Sequence, residues 1–173
     1  MSEAIITRRG GGSSIKSIQR GTATILAGAS SVTIPITSVV TTNSIAFLTE
    51  TSTQNPAIAK CKAYVIMDGS TQIRAVLSTA VQADTTETVY WQVIEYNNVL
   101  SLQRGTSAFA DSTNTFVTIT AVILAKTILH ATHNTTSTFA SGGICGSSLI
   151  TTTSLFINSP GAGNLSWQII QFR

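Results

Sequence analysis

Two histidines and two cysteines are the side chains of this 173-residue chain best suited to bind a metal or act as a nucleophile. Their spacing argues against both uses. His130, His133 and Cys145 form the one grouping that resembles a ligand set, but residues i and i+3 of a strand point to opposite faces, and zinc needs three or four converging ligands. The expectation is no metal and a pair of solvent-facing loop histidines. Lys60 and Lys62 flank Cys61 and would favour a thiolate, yet no histidine accompanies it in that segment and no nucleophile signature surrounds it. Cys61 and Cys145 occupy matching places in two similar stretches, so their Cα atoms are expected to lie beyond the roughly 7 Å that a disulfide spans. They read as small buried thiols.

Asp68, Asp84 and Asp111 fall in turn-like or loop segments and make no recognisable acid/base pair. The phrase Gln-Arg-Gly-Thr lacks the spaced glycines and the Lys-Ser/Thr of a phosphate cradle. The acceptor patterns at Asn134 and Asn164 carry no weight without a secretory leader. The sequence therefore predicts no enzyme, no cofactor and no metal.

What the chain does contain is repetition. Ile18-Gln19-Arg20-Gly21-Thr22 returns as Leu102-Gln103-Arg104-Gly105-Thr106, and Trp91-Gln92-Val93-Ile94-Glu95-Tyr96 returns as Trp167-Gln168-Ile169-Ile170-Gln171-Phe172. The opening phrases are 84 residues apart (104 − 20) and the closing ones 76 (167 − 91), so the second copy has lost eight residues (84 − 76). Loops absorb such losses, and the turn cluster Ser159-Pro160-Gly161-Ala162-Gly163-Asn164 marks the shortened connection. Val32-Thr33-Ile34 finds a counterpart in Val117-Thr118-Ile119, and Ser44-Ile45 in Thr127-Ile128. A unit of this length used twice sets the architecture.

Composition fixes the class. Charged residues are only 10% of the chain, with 28 Thr and 21 Ser, against roughly 25% charged in an ordinary soluble domain. Thr, Val and Ile suit a pleated surface, and the strong helix formers Glu, Lys and Arg are scarce. The net charge of +3 divides as +1 over residues 1–14, zero over 15–97 and +2 over 98–173. No stripe of Lys and Arg exists for nucleic acid, and no apolar run approaches a membrane span. The second copy, with Arg104, Lys126, Arg173 and Asp111 as its charged residues, presents so bare a surface that it reads as a subunit buried among neighbours. No secretory-type segment opens the chain, which predicts synthesis in a cytosol.

Residues 1–14 read as an arm and hinge: Ile5 and Ile6, then Arg8 and Arg9, then three glycines. Such an arm either frays or adds as a strand to a neighbour's sheet edge, its arginines meeting acidic groups there. Short β segments follow at about 16–27, 31–40, 44–50, 57–67, 71–80 and 86–96, and again at 99–109, 115–123, 126–132, 138–146, 148–157 and 164–172. The expected fold is all-β: two tandem antiparallel β-sandwich or small-barrel domains, 15–97 and 98–173, from an internal duplication, after an N-terminal arm. Pro35 points to an edge strand or bulge, and Asp68-Gly69 to a two-residue hairpin. Trp91 and Trp167 are expected to anchor the cores from central strands covered on both faces. Arg20 and Arg104 should bridge to a backbone carbonyl or to a carboxylate such as Glu95, and Gly21 and Gly105 should allow a bulge or a close backbone approach.

The opening and closing phrases, with the Thr/Ser/Val-rich stretch between them, resemble small β modules of bacteriophage virion proteins of the tail-fibre and minor structural type. The likeness covers nearly everything after residue 14. It implies a non-enzymatic virion subunit, made in the host cytoplasm, in decoration, collar, baseplate or fibre-associated position. Its partners would be copies of itself, as a trimer or ring, and other virion proteins. The alternative is a carbohydrate-binding adhesin with a host surface glycan as partner, although no sugar-contacting motif transfers onto a residue here. The chain lacks a fibrous shaft, heptads or a collagen-like run.

Overall fold

The computed structural model describes residues 15–53, 63–77, 81, 86–110, 113–135, 146–159 and 162–173. The arm residues Ile5, Ile6, Arg8 and Arg9, the cysteines and Asp84 and Asp111 lie outside them. The described chain is all-β, with four small antiparallel sheets in an arrangement compatible with sandwich packing.

The strands are β1 (Ile15–Ile25), β2 (Ser31–Pro35), β3 (Ser44–Thr53), β4 (Tyr64–Met67), β5 (Gln72–Val76) and β6 (Glu87–Tyr96), then β7 (Val99–Phe109), β8 (Thr113–Thr118), β9 (Thr127–Thr135), β10 (Gly146–Thr151), β11 (Ser154–Ser159) and β12 (Gly163–Phe172). Their sheet orders are β1-β6-β3 and β2-β5-β4, then β7-β12-β9 and β8-β11-β10. Adding six to each strand number of the first pair gives the second, so the two halves share one topology. A single 3-10 turn precedes the third strand of each half, at Thr41–Asn43 and Leu124–Lys126.

Each half encloses a core fed by both of its sheets. Ile25, Val89, Trp91 and Val93 meet Ile34, Val65, Ile73 and Ala75 in the first; Phe109, Leu165, Trp167 and Ile169 meet Leu155 and Ile157 in the second. Burying such β-branched and aromatic side chains is the main driving term for a chain this poor in helix formers. A third cluster joins the halves, with Ile45, Tyr96, Val99 and Ile170 at its centre.

The register corrects several details. Ile36 and Ile119 donate to the carbonyls of Thr71 and Thr153 respectively, and Ile34 pairs with Ile73 as Val117 does with Leu155. Val117 thus matches Ile34 and Ile119 matches Ile36, two residues away from the pairing read by sequence likeness. Most of the shortening lies between the fifth and sixth strands: residues 77–86 connect β5 to β6, and only 160–162 connect β11 to β12. The hairpin at Asp68-Gly69 is longer than two residues, since the Asp68 amide donates to the Gln72 carbonyl, although Gly69 does adopt φ +112°. Pro35 ends β2, an edge strand. At the joint between halves Asn98 takes φ +57°, a conformation asparagine tolerates, and its carbonyl accepts from the Arg173 amide.

Candidate functional site: a sheet face that holds an open strand edge

The repeated phrases do their work inside each half. Gly21 pairs with Trp91 and Gly105 with Trp167 in stretches of ladder free of register shifts; neither glycine makes a bulge. A Cβ at Gly21 would lie 2.9 Å from Cζ2 of Trp91, and one at Gly105 would lie 2.6 Å from Cζ2 of Trp167. The indole therefore lies over the glycine across the ladder, filling the space a side chain would take.

Two residues before each glycine a glutamine fastens a loop. Gln19 donates to the Thr37 carbonyl at 2.8 Å and accepts from its amide at 2.7 Å, and Gln103 does the same to Thr120 at 2.8 and 2.7 Å. On the closing strands Glu95 accepts from the Val40 amide and Gln171 from the Ile123 amide. That shared oxygen acceptor is why Gln can stand where the other half has Glu. Burial pushes the Glu95 carboxyl up, but hydrogen bonds from Lys16 and the Val40 amide, the Lys16 charge and the Ser17 hydroxyl outweigh it and leave its pKa below the usual carboxylate value.

The second half's outer face does something different. Arg104, Gln168 and His130 occupy one register position across β7, β12 and β9, and the row lies beneath edge strand β3 of the first half. The Gln168 amide donates to the Ala46 carbonyl at 2.6 Å and accepts from the Ala46 N–H at 3.0 Å. A primary amide so placed replaces the missing ladder partner of an edge residue. Arg104 Nη2 donates to the Thr41 and Ser44 carbonyls at 2.6 and 2.8 Å, charge-assisted bonds of the stronger kind, and burial lowers its pKa. On β9, the Thr132 hydroxyl accepts from the Val65 amide of edge strand β4 at 3.1 Å. Apolar contacts complete the interface: the Phe47 and His130 rings are 4.0 Å apart and those of Tyr96 and Phe172 5.3 Å.

His130 and His133 thus lie within β9, where loop positions were expected, and His130 is held against Phe47; burial pulls its pKa down to about 4. Among the described residues no group of three His, Cys, Asp or Glu gathers as for a metal. Of the residues singled out from sequence, Trp91 and Trp167 enter the two cores and Arg104 the interface, whereas Arg20 is exposed. The two closing strands also differ. β12 is buried on both faces, but Tyr90 of β6 is exposed and Gln92 and Ile94 only half-buried, because no further sheet edge among the described residues covers that face. Gln168, Thr132 and Ile45 were missed as interface residues; the repeated Gln92/Gln168 inside an otherwise apolar strand was the available signal. A cleft of about 200 Å³ opens between Met67 of β4 and Arg104, Gly105 and Gln168. It is smaller than the roughly 300 Å³ at which small-molecule pockets begin.

Compared with protein-family models, curated proteins and solved structures, the chain finds no match in any of the three.

Proposed function

We propose that this is a non-enzymatic structural subunit of a bacteriophage virion, built from one β-sandwich module used twice through internal duplication, and that it assembles with copies of itself. The observation that carries the reading is the recurrence of a whole contact set, strand order, Trp-on-Gly pair and glutamine loop clamp together, in both halves. Independent convergence on each of these at one spacing is far less economical than copying. The second half's outer face is devoted to holding protein backbone, a building function, and its polar groups are already engaged there. The virion setting leans on the resemblance of the opening and closing phrases. In this reading Ile5, Ile6, Arg8 and Arg9 tie the subunit to the particle.

Gradient-purified particles of the phage encoding the chain should contain it in fixed copy number. Deleting residues 2–12 should strip it from them while the β halves still fold. A chain that stays in the soluble fraction, absent from intact particles, would overturn the virion assignment.

A further inference from the structure

The contact between the halves runs one way. The first half contributes an edge, made by the Thr41–Asn43 turn, β3 and β4; the second contributes a face, made by β7, β12 and β9. Since both halves share one topology, each chain also carries the complementary pair, which among the described residues is largely uncovered, Phe47 being the member already in contact, with His130. The first half has its own face, with Arg20, Gln92 and Phe47 in one register row where the second has Arg104, Gln168 and His130. The second half has its own edge, with Leu124, Thr127, Ile128 and Leu129 where the first has Thr41, Ser44, Ile45 and Ala46.

Burial separates used from unused at matched positions. Ile45 is 1% exposed and its counterpart Ile128 is 45% exposed; Leu124, on the turn leading into β9, is exposed where its counterpart Thr41 is half-buried. Gln168 is buried and Gln92 half-buried; Arg104 is half-buried and Arg20 exposed. A row of apolar side chains beside an open strand edge, facing away from its own core, is what a neighbour covers.

The geometry also indicates closure. Residues at the same position of the two halves touch: Phe47 meets His130 with ring centroids 4.0 Å apart, and Tyr96 meets Phe172 at 5.3 Å. When one body is carried onto the next by a rotation plus a shift along the axis, no point moves less than the shift, so the shift is bounded at about 4.0 Å. The shift is small, so rotation makes up most of the relation. The rotation is not a half-turn, because the polar contacts have no mirrored counterparts: a half-turn would bring Arg20 to the Leu124 turn within the same chain, and Arg20 is exposed. Repeated heterologous contacts related by rotation close into rings, whereas a large shift would give filaments.

We infer that copies of this chain join head to tail into a closed ring. The β9 edge of one chain docks on the outer face of β1-β6-β3 in the next, Arg20 taking the Leu124 and Thr127 carbonyls and Gln92 bridging the Leu129 backbone, as Arg104 and Gln168 do within the chain. This specifies the interface of the homo-oligomer proposed above and rests on that reading.

The test uses the full chain and two surface variants, Ile128→Asp on the edge and Arg20→Asp on the face, with masses from light scattering and folding checked by circular dichroism. The wild-type chain should give one discrete multiple of 18.2 kDa, and each variant alone should run as a folded monomer. Mixed together, the two variants should form a species of twice the chain mass, since each retains the end the other lacks and the ring cannot close. A monomeric wild-type chain would sink both the oligomer and the ring. An oligomer that neither substitution disturbs would leave the oligomer standing and overturn this interface. Monomeric variants that fail to complement would overturn its head-to-tail polarity.

Discussion

Trp91 and Trp167 occupy the same place in the two halves, but their indole N–H groups fare differently. Trp167 Nε1 donates to Ser107 Oγ at 3.2 Å, whereas Trp91 Nε1 is buried with no acceptor. Ser107 lies on β7, two residues beyond Gly105, and the matching position on β1, two residues beyond Gly21, is Ala23. One missing hydroxyl therefore accounts for the orphan. A buried donor without a partner forfeits about 1–3 kcal/mol, and a hydrogen bond of this kind returns a net of about 0.5–1.5 kcal/mol. Ala23 is half-buried and touches the first core, so one added oxygen needs little room. Ala23→Ser should raise stability by about 1 kcal/mol, and Ser107→Ala should lower it by about 1–2 kcal/mol. Denaturant midpoints at constant m measure both changes. The indole N–H resonances give a local readout: Trp91 should exchange with solvent more slowly in Ala23→Ser, and Trp167 faster in Ser107→Ala. If Ala23→Ser destabilises the chain, or leaves Trp91 exchange unchanged, the assignment of the missing acceptor is wrong.

Gly21→Ala and Gly105→Ala should each destabilise by about 1–3 kcal/mol, because the new methyl overpacks against the indole. The Gly105 change should be the larger, its clash being 2.6 Å against 2.9 Å; equal midpoints for both variants and the parent would refute the Trp-on-Gly account. Gln168→Leu strands the Ala46 N–H and C=O together and should cost about 2–6 kcal/mol at the roughly 1–3 expected per orphaned group, measured by urea unfolding. His130 is held neutral in the fold with a pKa of about 4, against an ordinary value near 6.5, so the unfolded chain takes up a proton more readily. Its contribution is whole above pH 6.5 and declines as pH falls through 6.5 towards 4, by at most about 3 kcal/mol. His130→Phe, which copies the residue at the matched position 47, should flatten that slope; an unaltered pH profile would show that another group sets it.

Much of the fold was legible because the sequence repeats itself. β6 and β12 follow directly from the Trp-containing phrases, whose alternation is strong, and β1 and β7 from the Gln-Arg-Gly-Thr phrases. Where Thr and Ser dominate, alternation weakens and errors appear. The segment 148–157 reads as one strand, yet it contains the turn at Thr152-Thr153 between β10 and β11, a turn with no Gly, Pro, Asn or Asp to announce it. The role of Gly21 and Gly105 was not legible: a bulge or a close backbone approach was expected, whereas the approaching group is the side chain of each half's own tryptophan, which depends on a cross-strand register that single-sequence reading does not supply. The edge-to-face contact was less legible still. Ile45 and Ile128 are the same residue at matched positions, and only packing shows that one is covered and the other is not.

That inequality also bears on why the chain carries so little charge. An exposed strand edge is ordinarily defended by lysine, proline or a bulge, yet among the described residues of the second half's edge the only charged side chain is Lys126, beside exposed Ile123, Leu124 and Ile128. The matched stretch of the first half, residues 40–46, carries no charge at all, and there it is safe because Gln168 and Arg104 satisfy its backbone. Under the duplication reading, a module that evolved to have its edge covered by the next module gains nothing from edge charges, since each would be desolvated in every contact. The low charge and the one-way interface then have a single cause, and it predicts where charge is tolerated: on the outer strands β2 and β8, away from the axis. Lysine substitutions at Thr33 and Thr118, both exposed, should leave mass and stability unchanged, whereas lysine at Ile128 should act as Ile128→Asp does. Equal tolerance at all three sites would mean that desolvation at the contact does not govern the composition.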